Sequence, residues 1–364
     1  MQTPSIKFPH NKDLTFIKTL RKRVKDHFES TNTSKYGNAA MVWKTIAMLS
    51  IYALPYGLFI SGIITNAWVA LALWVMMGVG KAGIGFSIMH DANHGAYSKN
   101  PKVNKYLGYL INILGGSAIN WKIQHNVLHH TYTNVHGMDE DIDSGIIIRL
   151  SPHQKHYKLH KLQHIYAWFL YGLMTFLWIT TKDFRQLYRY KKMGLTKNLK
   201  NFNVMLARMI FAKLCYYAVF IALPVLLLPF AWWQIVLFFI AMHFTAGFIL
   251  ACVFQTAHVM PTSQYPQPDE SGNLENDWAV HQLFTTANYS PKSRVLSWFV
   301  GGLNFQIEHH LFPNVCHVHY KKISKIVKQT AQEYGLPYNS HPNFVKAIWE
   351  HAKMLKYLGN VKTV

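Results

Sequence analysis

The chain has 364 residues, half of them apolar and only 15% charged, and its apolar residues gather in blocks, which excludes an ordinary soluble domain. Its net charge of +21 first suggests nucleic acid, but the basic residues flank the apolar blocks, where anionic headgroups attract them. A membrane is therefore the expected partner, and nucleic acid is not.

In chain order, residues 1–40 read as a polar, basic cytoplasmic arm without a signal-peptide pattern. Two apolar segments of spanning length follow, roughly 42–63 and 67–89, joined by the short turn Ile64-Thr65-Asn66. Lys81, within the second, is expected to snorkel toward the interface. The second segment runs into His90-Asp91-Ala92-Asn93-His94. Residues 106–119, too short to span and carrying Gly108, Gly115 and Gly116, read as a helix dipping into or lying on the interface. The stretch HNVLHH then supplies His125, His129 and His130, followed by the acidic run Asp139 to Asp143. His153, His156, His160 and His164 have helical spacing and are expected to contact headgroups.

Residues 165–180 are marginal for a span. One extra crossing would put the later histidines on the other side of the membrane, so this segment is expected in the membrane plane. A second pair of spans, roughly 209–228 and 232–257, is joined by Pro229-Phe230-Ala231. His243 inside the last span is expected to be a polar contact between helices. The last cluster is QIEHH, with Gln306, Glu308, His309 and His310. Both hairpin turns lack charge, whereas the N-terminal arm, residues 182–200 and the C-terminal tail are basic. The positive-inside rule then puts both chain ends in the cytoplasm. The fold class expected is an all-α integral membrane protein with four transmembrane helices in two hairpins, interfacial helices and a cytoplasmic cap carrying a histidine-rich di-iron site. The divisions are the arm 1–40, a membrane domain 41–320 and a cytoplasmic tail 321–364. Cys215, Cys252 and Cys316 lack CxxC spacing and suggest neither disulfides nor a thiolate metal site; the two in apolar runs are expected to be buried.

Histidines four apart share a helix face and can share a metal. Seven clustered imidazoles exceed the four positions of one tetrahedral zinc, so two metals are expected, and imidazole suits iron as well as zinc. Two irons would use these ligands best, accepting two electrons and binding dioxygen to attack an unactivated C–H bond. Asp91 and the run Asp139 to Asp143 are candidates to hold the outer N–H of metal-bound imidazoles.

HDANHG, HNVLHHTYTN and QIEHHLFP closely resemble the three histidine boxes of membrane fatty acid desaturases, from about the first hairpin to Tyr320. Gln306, where many members have His, resembles the front-end subgroup, which desaturates between an existing double bond and the carboxyl end. The resemblance implies two iron ions, dioxygen as oxidant, a fatty acyl substrate carried on coenzyme A or a lipid, and a reduced electron donor. Many front-end members carry a fused cytochrome domain with HPGG. These residues have no such motif, which implies a separate acidic donor of ferredoxin or cytochrome type and a bacterial inner membrane rather than endoplasmic reticulum. The family pattern also calls for a histidine after the last span, and His258 matches it, with Gln255 one turn before to position a ligand or water. His281 is a further candidate ligand; His136, His317 and His319 are left outside the ligand set. The metal ligands expected are thus His90, His94, His125, His129, His130, His258, His309 and His310, with Gln306 and Asp91 as catalytic residues. The alternatives are an acyl-chain hydroxylase on the same scaffold and a histidine-rich metal transporter; a transporter needs ligands near the midplane, not beyond the helix ends.

Overall fold

The computed structural model describes residues 6–9, 14–143, 145–197, 199 and 201–363. Four helices in it are long and apolar enough to cross a membrane: Ala39–Ile60, Ala67–Asn93, Phe202–Leu227 and Trp232–His258. They match the four apolar segments of the sequence, and the second and fourth run on past the apolar stretch to carry His90 and His258. Those two are the inner helices, with 61% and 56% of their apolar windows buried, against 33% and 22% for the first and third. Glycine makes that closeness possible. A Cβ on Gly78 would stand 2.6 Å from the Met242 carbonyl of the fourth span, and one on Gly80 would stand 2.7 Å from the Tyr52 nitrogen of the first. Trp74, Phe59, Phe238 and Phe239 fill the space between the helices at the other end.

Lys81 does not snorkel. It is buried, with its ammonium 3.1 Å from the Tyr216 hydroxyl and 3.2 Å from Nδ1 of His243. His243 also meets the Tyr216 and Thr175 hydroxyls at 3.0 Å each, so its expected role between helices holds, with Lys81 drawn into the same network. Burying a cation is costly unless polar partners surround it, and this cluster supplies them.

Residues 165–180 lie in Gln163–Gly172 and the turns that follow, packed antiparallel on the fourth span, where Gly172 and Gly247 meet. Both ends of the segment return to the histidine side. Gln163 donates to the carbonyls of Arg149 and Leu355, while Gln186, in Asp183–Lys192, donates to Glu140. The segment therefore does not separate the clusters.

The chain ends join the same cap. The helix Thr15–Ser30 buries Phe16, Leu20 and Val24 in a cluster with Ile323, Val327 and Ala331 of Tyr320–Glu333. In Phe344–Leu358, His351 lies between the Tyr171 hydroxyl and the Val259 carbonyl, at 2.7 and 2.8 Å. Buried Arg149 donates to the carbonyls of Leu358 and Val361. Packing thus runs unbroken across residues 40 and 320. Of the histidines expected at headgroups, His153, His156 and His160 each meet a backbone carbonyl of this cap, of Tyr265, Gly359 and Ile146. Cys252 and Cys316 are buried, but Cys215 is exposed on the third span.

Candidate metal centre

Two of the three histidine boxes begin on π-helical turns. Gly85–Met89 precedes His90, and Lys122–His129 carries the second box, with the His130 amide donating to the His125 carbonyl at 3.0 Å. On an α-helix, residues i+4 and i+5 lie about 40° and 140° around from i, which would turn His130 away. A π-turn of about 4.4 residues brings both within roughly 50° of i, one on either side. The wider turn lets His125, His129 and His130 face one centre.

The boxes interleave. His90, His94, His125 and His309 form one group of convergent ligand atoms, and His129, His258 and His310 form a second, each within 4.8 Å. Adjacent residues of the third box therefore serve different groups, while His125 and His129, one in each, also converge with Asp141. His130 lies between them: its Nε2 is 2.9 Å from Nε2 of His309 and 3.3 Å from Nε2 of His125, and its ring stacks on His310 at 4.4 Å. His90 and His125 approach through their Nε2 atoms at 3.1 Å.

The tautomers explain why these nitrogens face inward. Nδ1–H of His129 donates to Asp139 at 3.0 Å, that of His310 to the Gln282 amide oxygen at 2.8 Å, and that of His258 to the Thr285 carbonyl at 3.3 Å. Nδ1 of His309 is 3.1 Å from the Tyr320 hydroxyl. With Nδ1 engaged outside, Nε2 is left as a lone-pair donor pointing in, and Nε2 of His94, His258 and His310 has no partner among the described residues. Ligand nitrogens on one metal, at bonds of about 2.0–2.1 Å, stand roughly 3.0–3.4 Å apart. The inward contacts have that spacing, and the donor set fits metal ions.

Burial pushes the imidazoles of His94, His125, His130, His309 and His310 well below the usual histidine range, and neighbouring imidazoles push further the same way. They are neutral, the form that binds metal. His129 differs. Burial lowers it, but the Asp139 and Asp141 carboxylates outweigh that and bring it up to about 9. Asp139 is fully buried and also accepts from the amides of Asn134 and Asp141, whereas Asp143 at the end of the acidic run is exposed. Asp139→Asn keeps the shape but removes the charge that orients His129. It is expected to weaken metal affinity or activity about 10–100-fold, measured by metal titration of the purified protein.

The other expected residues fall as follows. Asp91 stands 3.7 Å from Nδ1 of His90, yet its nearer partner is His317 at 2.8 Å, whose Nε2 meets Lys44 at 2.7 Å. Asp91, Cys316 and His317 also lie close enough to group around an ion, which the cysteine spacing did not suggest. His281 lies outside both imidazole groups; its Nε2 donates to the Thr133 carbonyl at 2.8 Å, and Phe8 packs on its ring. Gln306 opens the helix Gln306–Leu311, buried, with its Oε1 unpartnered among the described residues. The Gln255 amide donates to the Asp141 carbonyl, and its Oε1 is likewise unpartnered. Glu308 turns from the metal groups toward Asn288 and Tyr338; burial pushes its carboxyl up to about 7 although both neighbours donate to it.

Sequence reasoning missed Gln282, Tyr320 and Trp121. The indole packs against His90, His94 and His125, with ring centroids 4.5 Å apart at the last. Its place four residues before His125 was the available signal.

Known proteins agree with this arrangement. The family profile described as "Fatty acid desaturase" matches residues 66–342, which contain every histidine of the two groups. The sn-1 linoleoyl-lipid 6-desaturase of Synechocystis is 34% identical over 94% of this chain and 95% of its own length. The protein of the same name from Arthrospira platensis is 32% identical over 98% and 96%. An acyl-lipid (8-3)-desaturase of Physcomitrium patens is 34% identical over 94% of this chain and 72% of its own length. Because the matched region brings the three boxes into one buried cluster at the ends of apolar helices, the chain belongs to the fatty acid desaturase family, whose members are oxidoreductases.

Proposed function

We propose that this protein is an oxygen-dependent desaturase of lipid-borne acyl chains that inserts a double bond between an existing one and the carboxyl end. The observation that carries this reading is the pair of interleaved, buried imidazole groups beyond the second and fourth spans. The relatives' printed substrates, acyl lipids, support the substrate class, and the glutamine-bearing third box supports the front-end position. One iron would be held by His90, His94, His125 and His309, a second by His129, His258 and His310, with His130 between them. When bound, the two irons supply the redox capacity to activate dioxygen against an unactivated C–H bond.

The chain's own residues then do the positioning. Asp139, Gln282, Thr285 and Tyr320 fix four imidazoles so that Nε2 faces inward. Trp121 and the surrounding helices keep water from the first group. Gln306 offers an amide oxygen, unpaired among the described residues, that can orient a bound water or a ligand. Asp91 is assigned to steady His90 from outside, through its bond to His317.

The enzyme would lie in a bacterial inner membrane with both termini cytoplasmic; the uncharged hairpin turns and basic central segment support that orientation. Its electrons would come from a separate acidic carrier of ferredoxin or cytochrome type, drawn to the basic cytoplasmic face. Metal analysis of the purified protein tests the centre: about two irons per chain are expected from the two imidazole groups. A single zinc in active protein would overturn the di-iron reading.

A further inference from the structure

A chain of polar side chains leads from His129 to the surface. Asp141 Oδ2 is 3.4 Å from Nδ1 of His129, and its Oδ1 accepts from the Gln124 amide at 2.6 Å. Gln124 Oε1 accepts in turn from Gln186 at 2.9 Å, and the same Gln186 nitrogen donates to Glu140 Oε2 at 2.5 Å. Glu140 Oε1 pairs with the Arg189 guanidinium at 3.3 Å, which also donates to the Gly137 carbonyl. Arg189 forms one wall of an open groove of about 520 Å³, lined also by Phe184, Arg185, Tyr188, Lys192 and Met193. Arg185, Tyr188 and Lys192 are exposed.

Two features belong together here. The groove presents two exposed cations, Arg185 and Lys192, beside exposed aromatic and apolar surface, with Arg189 behind them paired to Glu140 and Asp143, a composition that draws and seats an acidic protein. From its wall, a relay of side chains runs to the imidazole of a proposed metal ligand, hydrogen-bonded from Glu140 through Gln186 and Gln124 to Asp141 and closed at either end by a charge contact. A lipid headgroup would use the cations but not the relay behind them, whereas a redox carrier uses both.

We propose that this groove is the docking site of a small acidic one-electron carrier protein, and that Arg189, Glu140, Gln186, Gln124 and Asp141 connect it to His129. This rests on the desaturase reading. Each double bond removes one hydrogen from each of two adjacent carbons. Two electrons from two carrier encounters, with two protons from solvent, complete the reduction of dioxygen to two waters, and the carrier leaves oxidised by one electron each time.

Reduced [2Fe–2S] ferredoxin serves as the probe, with the iron-loaded full-length enzyme in neutral-lipid nanodiscs. Both binding of oxidised ferredoxin and the ferredoxin dependence of double-bond formation are measured. Reversing the two exposed cations, Arg185→Glu with Lys192→Glu, is expected to weaken binding and raise the half-saturating ferredoxin concentration about tenfold or more. Product formed with a small chemical reductant in place of ferredoxin should stay unchanged. The same reversal on another basic helix, Lys325→Glu with Lys328→Glu, should alter neither. Charge-conserving Arg185→Lys with Lys192→Arg should restore ferredoxin dependence, and added salt should weaken the wild type more than the groove variant. Equal ferredoxin dependence in the groove variant and the wild type would overturn the docking site. So would loss with both reductants that anionic lipid restores, which would assign the groove to a headgroup. If the chemically reduced wild type forms no double bond, the desaturase reading itself fails.

Discussion

Replacing His310 by alanine is expected to abolish desaturation and lower iron from about two to about one per chain. Among the described residues His310 shares its group with only His129 and His258, so its loss leaves two imidazoles, too few to hold a metal firmly in competition with water. His309→Ala acts on the other group, where His90, His94 and His125 remain. That variant is expected to keep more of its iron than His310→Ala, and still to lose activity. Iron analysis with fatty-acid profiling of both variants checks the pair. Equal and complete loss of both irons from each would show one cooperative cluster in place of two groups, and full activity in either would remove that histidine from the centre.

The second large effect concerns Gln306. Its side chain shares a helix with His309 and His310, three and four residues before them, yet its amide oxygen is buried without a partner among the described residues. An amide oxygen binds iron weakly compared with imidazole, so its expected work is to orient a ligand or bound water. Gln306→Ala should keep most of the iron and lose desaturation by about 10–100-fold, while Gln306→His should keep iron and retain part of the activity. Loss of iron as severe as in His310→Ala would make the glutamine an essential ligand. Full activity in the alanine variant would leave it without a catalytic part.

Much of the centre was legible because its determinants are local. Four apolar blocks set the spans, and histidines placed just past them could meet only if the crossings were even in number. What stayed hidden was non-local or depended on helix phase. HNVLHH reads as an α-helical i, i+4 pair, and nothing in its letters announces the π-turn that brings His130 onto the same face. Lys81 looked like an interfacial lysine because its partners, Tyr216 and His243, come from spans more than a hundred residues away. The histidines from 153 to 160 looked like a surface face because the carbonyls they meet lie in loops and at the far end of the chain. Asp91 was placed beside His90 by adjacency, yet its shorter bond goes to His317, which only folding brings near.

The central claim is tested most directly by expressing the chain in a host of known lipid composition and locating every new double bond in its fatty acids. A new double bond between an existing one and the carboxyl end, absent with His310→Ala, is the expected result. A hydroxylated product, or a new double bond on the methyl side of the existing one, would contradict it.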